Sequence, residues 1–192
     1  MDATFYFDPL CPWTWTTSRW LLTVAPVRGV SLRWRAFSLA ILNGGTPPEQ
    51  YRAPMEASAQ ALRLVEALAA DHRYDDSGRF YTELGARSHQ TGAVLTADSV
   101  LAAAEAAGLP DAKRILDDPA WDEAVRESHE SAMTAAGPDI GSPVLVLDGT
   151  ERGLHGPILG REPDEAESVR IWDAVVSLLQ SSAFFEVKRG RR

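Results

Sequence analysis

Between residues 49 and about 137 the chain is alanine-rich and helical, interrupted only by Gly and Pro signals, and strand-like runs occur only before and after that block. Any sheet must therefore be assembled from the two ends of the chain. At the front, residues 3–7 are short, aromatic and β-favouring, and Asp8-Pro9 breaks them. Pro12 suits a first helical position, and the run through Trp13, Arg19-Trp20-Leu21-Leu22 and Val24 carries that helix toward Pro26. Val30, Leu32, Trp34 and Ala36 then alternate with Ser31, Arg33 and Arg35, the period of a strand with one buried face. Strand, helix and strand predict a right-handed βαβ unit.

Asn43-Gly44-Gly45-Thr46-Pro47-Pro48 breaks the chain before the helical block, where helices are expected over residues 55–70, 80–89, 99–107 and 120–136. Strand character returns at Val144-Leu145-Val146-Leu147, followed by the hairpin signal Asp148-Gly149 and a short partner strand over 151–154. Gly156-Pro157 ends that strand. Residues 164–179 read as a last amphipathic helix, with Ala166, Val169, Ile171, Trp172, Val175 and Leu178 as its apolar stripe. The order β-α-β, helical insertion, β-β-α is compatible with an α/β, thioredoxin-like core from residues 1–48 and 138–192, with 49–137 as an inserted helical subdomain.

Composition narrows the partners. The balance of 19 Lys+Arg against 27 Asp+Glu gives a net charge of −8, which repels a phosphate backbone, so nucleic acid is not expected. Lys188, Arg189, Arg191 and Arg192 read as a solvated tail. No run has the ~18 to 20 apolar residues of a membrane span, and the first residues lack the basic-then-apolar pattern of a secretory leader, so none is expected. The expectation is a cytoplasmic monomer or homodimer whose single cysteine stays a reduced thiol and forms no intrachain disulfide.

That cysteine, Cys11, lies between strand and helix, where the helix dipole and unpaired backbone N–H groups stabilise a thiolate. Beside it, Trp13 or Trp15 must face the core; Trp13 is assigned to the pocket, where its indole could stack on a planar substrate. Asp8 either orients the active loop or caps the helix start. His72, His129 and His155 are too scattered for a metal site, and no Gly-rich phosphate loop occurs.

Cys11-Pro12-Trp13 within "FDPLCPW", then "TSRW", "FSLAILN", "EQYR", "GSP", "GP" followed by Ile-Leu, "WDA" and "FFE.KR" together resemble the mycothiol-dependent nitroreductase family of actinobacteria, in the DsbA-like branch of the thioredoxin superfamily. The likeness spans Phe5 to about Arg189. It implies a thioredoxin fold with a helical insertion and a small-molecule cleft between the Cys11 loop and a cis-proline loop. By that resemblance Pro143 matches the cis proline, Ser142 replaces the threonine usual before it, and Tyr51 and His89 border the cleft from the insertion, each as a substrate contact or a structural polar group.

Thr14 is the departure from the family's CPWC pattern. A hydroxyl there can only hydrogen-bond, for instance to the Cys11 sulfur, so an internal dithiol cycle is impossible. Two chemistries remain. In one, the lone thiolate adds reversibly to a conjugated double bond of a free or carrier-tethered small molecule, the resulting single bond rotates, and sulfur leaves. This cis-trans isomerisation needs no cofactor, with helix N–H groups and Thr14 as donors to the transient enolate. The hydroxychromene-carboxylate isomerases, related by resemblance, run isomerase chemistry on this scaffold with glutathione as the thiol. In the other, mycothiol or another low-molecular-weight thiol completes a redox step. On the sequence alone the isomerase takes precedence, because the missing thiol removes the internal redox cycle.

Overall fold

The computed structural model describes residues 1–44 and 47–190. Gly45 and Thr46 of the expected break, and Arg191 and Arg192 of the expected tail, lie outside the described residues. β1 (Asp2–Phe7) pairs in parallel with β2 (Ser31–Ala36) and antiparallel with β3 (Val144–Leu147), which pairs in turn with β4 (Leu154–His155), giving the order β2-β1-β3-β4. The two ends of the chain thus meet in one sheet. β1 is central and buried on both faces, which explains why its sequence is apolar without alternation.

α1 (Pro12–Arg28) crosses from β1 to β2 and ends where Gly29 takes a left-handed conformation at φ 61. It runs two residues past Pro26, although proline there donates no N–H to the helix. α8 (Glu165–Leu179) packs beside it: Trp20 Nε1 donates to the Ser168 carbonyl at 3.0 Å, and the Trp20 and Trp172 rings lie 5.9 Å apart. Ser168, Trp172 and Val175 face inward there, whereas Ala166, expected in the apolar stripe, is exposed.

The helical block holds α3 (Glu49–Ala70), α4 (Tyr74–Gly85), a π-helical turn (Ala86–Gln90), α5 (Ala97–Ala106), α6 (Ala112–Leu116) and α7 (Asp122–Ala136). α2 (Leu39–Asn43) and α6 were not expected; each is one short turn, too brief for periodicity to register. α3 begins several residues before the expected 55 and carries Pro54 inside it. The expected helix over 80–89 is instead α4 plus the π turn. β4 forms later than the expected 151–154 because the Thr150 hydroxyl folds onto Leu147 and Arg152 and the Gly153 N–H is taken by Ala135 of α7. Buried Phe5, Phe7, Trp34, Trp15, Trp20, Leu64, Tyr81 and Leu145 join sheet, α1, α3 and α4 in one apolar cluster.

Candidate active site

β1 ends at Phe7, and residues 8–10 turn the chain so that the Cys11 N–H donates to the Asp8 carbonyl at 3.0 Å. Cys11 is the N-cap of α1 in extended conformation (φ −82, ψ 113), and Pro12 occupies the first helical position, where no N–H is needed. Its sulfur therefore lies at the positive end of a 17-residue helix. Cys11 is 7% exposed, and Sγ donates to the Ser142 carbonyl at 3.4 Å.

Ser142 joins the front of the chain to the start of β3. Its hydroxyl accepts from the Asp8 N–H at 3.1 Å and shares a 2.8 Å hydrogen bond with Thr14 Oγ1. The Ser142-Pro143 peptide bond is cis, as the resemblance implies. Thr14 is fully buried, and its recorded partner is the Ser142 hydroxyl rather than the Cys11 sulfur.

Asp8 orients the loop and does not cap α1. Oδ1 accepts from the Leu10 N–H (2.8 Å) and the Ser58 hydroxyl (2.7 Å), and Oδ2 accepts from the Leu39 N–H (2.7 Å). One buried carboxylate thus fastens the Cys11 loop, α2 and α3. Burial raises its pKa, while the three donors oppose the rise. In Asp8→Asn an amide N–H must face at least one of those donors, so unfolding stability should fall by about 1–3 kcal/mol, read from urea denaturation.

His129 of α7 supports α2 from the other side. Its buried ring lies edge-on to Phe37 at 4.6 Å, and Nδ1 accepts from the N–H of Ser38, whose hydroxyl caps α2 by accepting from the Ile41 N–H. Burial lowers the His129 pKa, with Glu130 opposing, and burial lowers that of His89 too. A folded-state pKa below the unfolded value gives stability that is complete above about pH 6.5 and lost as pH falls through it, since the unfolded chain binds the proton more readily. The urea midpoint should therefore decline from about pH 8 to about pH 5.5, less steeply in His129→Leu.

Trp15 takes the core and Trp13 is half-buried beside Cys11. His89, on the π turn, donates from Nε2 to the Pro9 carbonyl at 2.8 Å and stacks on Trp15 at 5.9 Å, so the helical block reaches the active loop through it. Tyr51 is 52% exposed on the first turn of α3, with no side-chain hydrogen bond to the Cys11 loop among the described residues.

Three neighbours of this cluster escaped the sequence reading. The Arg19 guanidinium lies 3.9 Å above the Trp15 ring. Tyr81 is fully buried, its ring 4.2 Å from Phe7 and its hydroxyl kept protonated by burial. Gly85 leaves room for Trp15. Arg19 was findable, standing four residues from Trp15 and eight from Cys11, as was the glycine inside a helical pattern. Nothing local singled out Tyr81.

Among the described residues, no three His, Cys, Asp or Glu side chains cluster to hold a metal, and no helix is long and apolar enough to cross a membrane. A cavity of about 290 Å³ at the β3–β4 turn and a groove along β2 are lined by none of Cys11, Thr14, Ser142 or Pro143.

Comparison with known proteins places the chain. The family described as Rv2466c-like, mycothiol-dependent nitroreductase Rv2466c, matches residues 10–189. The uncharacterized protein Rv2286c of Mycobacterium tuberculosis is 30% identical over 194 residues, covering 96% of this chain and 80% of its own length. A 2-hydroxychromene-2-carboxylate isomerase superposes with TM-score 0.58 at 17% identity, over 93% of this chain and 96% of its own. The cytosolic disulfide reductase DsbM of Pseudomonas aeruginosa does so with TM-score 0.58 at 15% identity, over 93% of this chain and 100% of its own. At such identities the two structures speak for the fold, which is thioredoxin-like and DsbA-like.

Proposed function

The chain belongs to the Rv2466c-like family of mycothiol-dependent nitroreductases, and on that premise we propose that it is a single-thiol, mycothiol-dependent oxidoreductase with Cys11 as its nucleophile. The observation that supports this most is the pairing of one sulfur at a helix mouth with Thr14, a buried hydroxyl engaged by Ser142, where a second thiol would stand. The chain cannot release two electrons by closing a disulfide of its own. Mycothiol, when bound, supplies the second thiol and those electrons. The residues present suit such a partner, since exposed Pro12 and half-buried Trp13 border the one nucleophile.

In exchange with a disulfide substrate, the Cys11 sulfur attacks one substrate sulfur. The substrate S–S bond breaks as the new one forms, and the departing thiolate takes a proton from water. Cys11 makes that attack from the N-cap of α1, with the first turn of the helix directly behind it. Ser142 holds the thiol through its carbonyl and the loop through its hydroxyl, and with Trp13 and Pro143 it borders the substrate. His89 contributes from the helical block by bracing Pro9.

Cis-trans isomerisation of a conjugated small molecule is the second reading, favoured by one observation: a lone thiol suffices for it. Because the family match brings in an external thiol, the redox reading now takes precedence. The assay that separates them supplies a nitroaromatic or a mixed disulfide with and without mycothiol, and a cinnamoyl-type thioester with no thiol at all. Reduction that requires mycothiol is expected. Geometric isomerisation without added thiol, and no mycothiol-dependent reduction, would overturn the redox assignment.

A further inference from the structure

Arg19 is half-buried, and its five N–H donors are only partly used. Nε and one terminal nitrogen donate to the Ser18 hydroxyl at 3.2 and 3.1 Å, and the other terminal nitrogen donates to Thr82 Oγ1 at 3.0 Å. These partners are neutral. Among the described residues no carboxylate lies within 4.0 Å of the guanidinium; Glu162 acts on it from farther away. Arg28, Arg33, Arg35, Arg63 and Arg79, by contrast, each pair with an acid. Burial disfavours the charged form of Arg19, the signature of a cation lacking a counter-ion.

The position relates this charge to the nucleophile. Helical side chains lean toward the N-terminus, and the guanidinium lies over Trp15, roughly one turn or 6 Å of helix axis from the level of Cys11. Pro12 is exposed and Thr16 and Arg19 are half-buried, an i, i+4, i+7 stripe that leads along α1 from beside the sulfur to the guanidinium.

We propose that Arg19 is an anion-binding subsite of the Cys11 cleft, holding a carboxylate of the substrate that Cys11 attacks through the N–H donors left on its two terminal nitrogens. This rests on the reading of Cys11 as an accessible nucleophile. It narrows the substrate class to acids whose carboxylate is roughly one helical turn from the reacting atom.

The test uses two aryl disulfides that Cys11 attacks in the same way, forming a protein–aryl disulfide and releasing one aryl thiolate: dithiobis(nitrobenzoate), which carries a carboxylate on each ring, and neutral dithiodipyridine. The ratio of the anionic to the neutral second-order rate should fall by roughly three- to tenfold in Arg19→Gln, with Arg19→Lys in between. In the wild type the ratio should fall with added salt. Should Arg19→Gln misfold, Glu162→Gln supplies the second arm, because removing that acid should raise the ratio. A ratio indifferent to these changes overturns the subsite alone. A wild-type thiol that reacts with neither reagent overturns the nucleophile assignment and the subsite with it.

Discussion

Cys11→Ser is expected to lose turnover by about a thousandfold or more in the mycothiol-dependent assay while remaining folded. Serine keeps nearly the same volume, and its hydroxyl can still donate to the Ser142 carbonyl that accepts from Sγ at 3.4 Å. What it lacks is a sulfur nucleophile that can form and break a bond to another sulfur. Circular dichroism and urea denaturation check the fold, and initial rates check the chemistry. Rates preserved in this variant would mean that Cys11 is not the nucleophile, and both readings that rest on its thiol would go.

Gly85→Ala is expected to destabilise by about 3 kcal/mol or more, the upper range for an overpacked core, or roughly 6–12 °C in Tm for a chain of this size. A Cβ there would stand 2.1 Å from Trp15 Cε3 and 2.2 Å from Cζ3. The indole cannot retreat, because Tyr81 meets it edge-on at 5.8 Å, His89 stacks on it at 5.9 Å and Arg19 lies over its face. Trp15 is four residues past Cys11, so relief of the clash must move α4 or the first turns of α1. Thermal unfolding measures the loss. Adding Trp15→Phe should recover part of it in a double-mutant cycle, since the smaller ring vacates the space. An unchanged Tm in Gly85→Ala would show that the two helices are not in this contact.

Much of the site was readable locally. The break at Asp8-Pro9 followed by Cys11-Pro12 marks a helix start with a thiol at its N-cap, because proline at the first helical position needs no N–H partner. Thr14 is equally plain, since one residue type decides whether a second thiol exists. The partners of these groups were not readable. Asp8 allowed either a capping or a loop-orienting role, and the choice depends on Ser58 and Leu39, fifty and thirty-one residues away. His89 could be named from resemblance, but its bond to Pro9 spans eighty residues and a π turn that no periodicity announces. β4 was misplaced because the Gly153 N–H is claimed by α7, a competitor outside the local window.

The amino-acid order alone fixed most of the longer elements, a sheet drawn from both ends of the chain, and a single thiol at a helix mouth, because backbone periodicity, proline sterics and residue identity act over a few positions. Only the tertiary structure decided which groups surround the active loop: Ser142 against Cys11 and Thr14, Asp8 as the junction of loop, α2 and α3, and Arg19 over Trp15. Hydrogen bonds and charge pairs need a few ångströms of proximity, and across a hundred residues of intervening chain that proximity comes from packing helices on a sheet.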